Sequence, residues 1–195
     1  MKEVSSIISA NYSVLKNLST ALGKCFQTNL KITDNKLPIP ASLGGGTFVF
    51  YELEEGLGLL KTHLYFSTDV RFTSIGDNSN DYFLIHYNLS PRKTRFDSVS
   101  NTYREYGETW LSSVRYVSSS GNRTGILFKE NQWSTILTIV VHRSWIMQDI
   151  IYYPKRIKEK LQKKIFVDTP IDGIDRLDLE SIKIVKELLA INTTN

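Results

Sequence analysis

From residue 46 to 142, outside the segment 91–108 and the short polar loops, stretches of the chain alternate every second residue, and nothing else in the chain restricts its fold as much. Thr47, Val49, Tyr51 and Leu53 alternate with Phe48, Phe50, Glu52 and Glu54, the period of a strand with two unlike faces. Glu54-Glu55-Gly56 follows as a short turn with glycine where a positive φ is needed. The return strand runs over 57–68, with Leu60, Leu64 and Phe66 on one face and Lys61, His63 and Tyr65 on the other. Further strands are expected at 69–75, 81–89, 110–118, 123–129 and 134–142, with polar loops at 76–80 and 118–122. Such a run of short strands predicts an antiparallel sandwich or barrel.

Helical periodicity flanks this region. Ile8, Tyr12, Leu15, Leu18 and Leu22 are spaced by three and four, predicting an amphipathic helix over 7–23 that Gly23 ends. Leu37-Pro38-Ile39-Pro40 reads as a stiff extended connector. The polar segment from Pro91 to Glu108 lacks periodicity and is either a lid or a disordered loop. Past the last strand, Trp145, Ile146, Ile150 and Tyr153 lead a helix up to Pro154, and a second carries Ile157, Leu161 and Ile165. Asp168-Thr169-Pro170 and Gly173 read as a linker. Asp178 then caps a final helix containing Ile182, Val185, Leu188 and Leu189. The expected division is a helical arm at 1–35, a β domain at 36–143 and a helical region at 144–195.

Composition removes several classes. The chain has 195 residues, 41% hydrophobic and 23% charged, as ordinary globular proteins are. Cys25 is the single cysteine, so no intrachain disulfide can form. The longest apolar runs, such as ILTIVV at 136–141, fall far short of the ~20 residues a membrane-spanning helix needs. The N-terminal residues are too polar for a secretory signal, so a cytoplasmic protein with no membrane partner is expected. The net charge of +4 is mild, and the lysines and arginine between 155 and 164 read as a solvated helix face.

The triple glycine at 44–46 is no phosphate loop. A P-loop needs Lys-Ser/Thr and a helix after its last glycine, whereas Gly46 opens a strand. A dinucleotide fingerprint fails in the same way. His63, His86 and His142 each lie in an expected strand, but no His-x-His pair exists among them, so no metal site is assigned. No Gly-x-Ser-x-Gly elbow is present, and Cys25 has no neighbouring base. Ten tyrosines, nine phenylalanines and three tryptophans furnish either a core or an aromatic ligand pocket.

The runs IPASLGGGTFVFYELEEGLGLL, LYFSTDV, DYFLIHYNLS and NQWSTILTIVVHRSWI, within roughly 36–192, resemble the N-terminal regulatory domain of AraC-type transcription regulators. The likeness is to the branch of pyochelin-type siderophore regulators and Bacteroidetes-type regulators. It implies a mainly β chain: a cupin-like jelly-roll barrel that binds a small-molecule effector, followed by helices that make a homodimer. DLESIKIVKELLAINTTN at 178–195 resembles the helix that leads into the DNA-binding helix-turn-helix units, so DNA contact is expected only through a domain not in this sequence. A regulator of this kind is no enzyme and needs no cofactor. Tyr51, His63, Tyr65, His86, Trp110 and Arg115 are the candidate effector contacts. Arg115 would pair with an anionic effector, since its fork matches a carboxylate. The alternative is a small cupin-type metalloenzyme, an isomerase or dioxygenase, with the histidines as metal ligands.

Overall fold

A computed structural model describes residues 1–8, 13–75, 82–90, 95–98, 114–119, 124–150, 172–176 and 178–190. The fold is mostly β. Its strands are β1 (Lys2–Ile7), β2 (Lys36–Pro38), β3 (Gly44–Glu54), β4 (Leu57–Phe66), β5 (Val70–Ile75), β6 (Tyr82–Asn88), β7 (Arg95–Ser98), β8 (Val114–Ser119), β9 (Thr124–Phe128), β10 (Ser134–His142) and β11 (Asp172–Arg176). The helices are α1 (Ser13–Phe26), α2 (Arg143–Ile150) and α3 (Leu179–Ala190). No described helix is long and apolar enough to cross a membrane.

The strands form two sheets, ordered β1-β5-β9-β7 and β11-β8-β6-β10-β4-β3-β2. Every ladder is antiparallel except that of β1 with β5. Among the described residues no ladder joins one sheet to the other; an isolated bridge joins Phe66 of β4 to Glu130, two residues past the end of β9. The expected antiparallel β class is present, and the described ladders do not close into a barrel.

The alternation read from the sequence decides which side of the larger sheet faces the smaller one. Phe48, Phe50, Leu60, Leu64, Phe66 and Ile136 turn inward and meet Val4, Val70, Phe72 and Phe128 of the smaller sheet in one core. The Phe66 and Phe128 rings meet edge to face at 5.7 Å, the arrangement that suits their quadrupoles. Helix α1 covers one side of this core with Val14, Leu15, Leu18 and Leu22. At one corner Asp69 accepts hydrogen bonds from Lys129 Nζ and the Glu130 amide, both at 2.8 Å, which hold its carboxyl below the usual range.

Three glycine readings meet the coordinates differently. Gly56 has φ 83°, as the hairpin turn requires. Gly46 has φ 94°, and a Cβ there would come within 2.1 Å of the His63 carbonyl oxygen, so the chain enters the sheet by a backbone approach open only to glycine. Gly23 does not end α1. The helix continues to Phe26, Gln27 takes the left-handed conformation with φ 54°, and the Thr28 amide donates back to the Gly23 carbonyl at 3.0 Å. A Cβ on Gly23 would sit 2.8 Å from Thr28 O, so glycine serves that close return rather than a positive φ.

Other expectations are also revised. The first residues form β1 rather than part of a helical arm, and the helix begins at Ser13. The Pro-rich connector supplies β2, with Pro38 in the sheet's outermost strand where a missing amide is tolerated. The segment 91–108 contains β7, and Gly173 lies in β11 rather than in a linker. The loop at 76–80, the helix at 157–165 and its lysines lie outside the described residues.

Candidate functional site

Polar side chains appear on the inward face of the larger sheet where the pattern calls for apolar ones. On β6 the inward positions are Tyr82, Leu84, His86 and Asn88; on β10 they include Ser134, Ile136, Thr138 and Val140. The register sets His86 beside Thr138, and Nδ1 of the imidazole lies 2.8 Å from the Thr138 hydroxyl. Thr62 on β4 and Ser74 on β5 are also buried on inward faces.

These groups border a cavity of about 40 Å³ between the sheets. Its larger-sheet wall includes Phe48, Leu60, Thr62, His86, Ile136 and Thr138. Phe72, Ser74, Ile126 and Phe128 close it from the smaller sheet, with Leu18 of α1 and Ile8. The space would accept two or three waters by the ~10–15 Å³ each requires, far below the ~300 Å³ or more of a pocket filled by a drug-sized ligand. Burial pushes the His86 pKa down from 6.5 to about 4, because the imidazolium would lose its hydration.

Asn88 is fully buried on the same face of β6, opposite Ile136. Its Oδ1 accepts from the Ser90 amide at 3.1 Å and the Ser90 hydroxyl at 2.6 Å. Ser90 Oγ in turn accepts the Thr135 amide at 3.0 Å. Among the described residues Nδ2 of Asn88 has no hydrogen-bond partner. A buried amide donor left in this way costs roughly 1–3 kcal/mol, so native folds keep few of them.

The six residues singled out in the sequence divide between two faces. His86 lies inside. Tyr51, His63 and Tyr65 lie on the outward face of the same sheet: the Tyr51 ring has Lys61 Nζ 5.8 Å from its centroid and packs against the apolar group that receives α3. His63 is exposed, bonded through Nδ1 to the Thr135 hydroxyl at 2.9 Å and stacked on Trp133 at 4.6 Å, with Tyr65 edge-on to the same indole. Arg115 occupies a β8 position opposite Tyr87 and Asp175, one residue off the row that pairs His86 with Tyr116. Trp110 lies outside the described residues.

The three histidines do not converge. His63 and His86 stand on opposite faces of one sheet, and His142 caps α2, its Nδ1 accepting from the Ser144 amide at 3.2 Å. Among the described residues no three of His, Cys, Asp and Glu come together as metal ligands would. The cavity's hydroxyls and Asn88 were missed in the sequence, although a signal existed for two of them: Thr62 and Thr138 are polar at positions whose strand neighbours of the same parity are apolar.

No protein-family model matches this chain, and no curated protein matches it. Among solved structures it is similar to PhpD with cadmium complexed with hydroethylphosphonate, at 14% identity and a TM-score of 0.36. Native PhpD with cadmium atoms is similar at 14% identity and a TM-score of 0.34. Each likeness covers 89% of this chain and 47% of the other, so this chain spans about half the length of those proteins. Superposition that loose carries no argument about fold or chemistry.

Proposed function

We propose that this chain is the sensor region of an AraC-type transcription regulator, with a cupin-like body that takes a small effector between its sheets and performs no catalysis. The resemblance in its strand sequences suggested the reading, and one structural observation carries it. The strands that wall the cavity also seat the C-terminal helix. On β4 and β10, Leu60, Thr62, Ile136 and Thr138 face inward, while Leu59 and Leu137 face outward against Val185 of α3. Leu188 and Leu189 complete the contact. A ligand that shifts these two strands by even a fraction of an ångström alters the bed on which α3 lies. Packed interfaces answer such shifts by switching between arrangements rather than by deforming smoothly.

In this reading the chain acts in the cytoplasm as a homodimer built through its C-terminal helices, and DNA is held by helix-turn-helix units beyond Asn195. The cavity widens as the effector enters, since its present volume admits only water. The metalloenzyme alternative, in the form that uses the histidines as ligands, gains no support from three imidazoles that stand apart.

A melting-temperature screen against a library of small metabolites tests the proposal. A compound that binds the folded state alone raises the midpoint by mass action, and hydrogen exchange should then change at α3 as well as around the cavity. Stoichiometric metal in the purified protein, or turnover of the compound that binds, would instead establish the enzyme reading.

A further inference from the structure

We draw no further inference here: the strongest candidate, the partly exposed aromatic cluster of Trp133, His63 and Tyr65 on the outward face of the larger sheet, carries nothing because nothing in the structure shows what covers it.

Discussion

His86 shows how one buried side chain ties stability to pH. Its folded-state pKa of about 4 lies below the 6.5 of the unfolded chain. Above pH 6.5 neither state holds the proton and the effect vanishes. Between those values the unfolded chain binds a proton that the folded chain excludes, so stability falls as pH falls through the window and levels off below about 4. From pH 7.5 to 4.5 the loss from this residue amounts to about 2–3 kcal/mol. His86→Gln keeps a polar group near Thr138 without the titration. Urea unfolding should therefore show the wild type losing about 2–3 kcal/mol more than H86Q over that range. Parallel losses would mean that the imidazole is hydrated in the folded state. The sequence revealed His86 as a candidate but could not sort it from His63, because the two are distinguished only by parity along their strands. That parity places one in the core and the other in solvent beside Trp133.

Among elements, legibility followed position in the sheet. The strands read from periodicity, β3, β4, β5, β6, β8, β9 and β10, are the central strands of the two sheets. The four that went unread, β1, β2, β7 and β11, are their four outer edges. A central strand buries side chains against neighbours on both sides, and its sequence alternates to suit. An edge strand is held on one side by a backbone ladder, which asks little of its side chains. Asp172-Gly-Ile-Asp-Arg176 thus reads as a linker yet pairs along its whole length with β8. Helix α3 was legible because its cap is local. The Ser181 amide donates to Asp178 Oδ1 at 2.7 Å, satisfying one of the donors that a helix start leaves free. Asp178→Ala should cost about 1 kcal/mol, felt within α3. Hydrogen exchange should show the first turn of α3 opening several-fold faster with β4 and β10 unchanged. Equal protection in both proteins would mean that packing, not the cap, fixes the helix start.

At the scale of the whole molecule the central question is whether α3 is a separable unit or part of the core. Among the described residues the main core joins both sheets and α1 through seventeen buried residues, whereas α3 contributes one buried side chain, Val185, to a smaller group with Leu59 and Leu137. Burying one such side chain yields about 1.5–3 kcal/mol, and the half-buried Leu188 and Leu189 add part of the same again. That sum is smaller than the stability expected for a domain of this size, so α3 opens below the global unfolding free energy. A reporter element needs that margin, because an effector can shift an equilibrium only by its differential affinity for the two states. Val185→Asp places a carboxylate against Leu59 and Leu137, a cost that exceeds the docking energy. The expected result is a protein whose α3 amides exchange freely while β4 and β10 keep their protection and the near-ultraviolet dichroism of the core persists. Loss of protection in the sandwich together with α3 would show that the helix is an integral layer of the fold, and coupling from cavity to helix would then need another route.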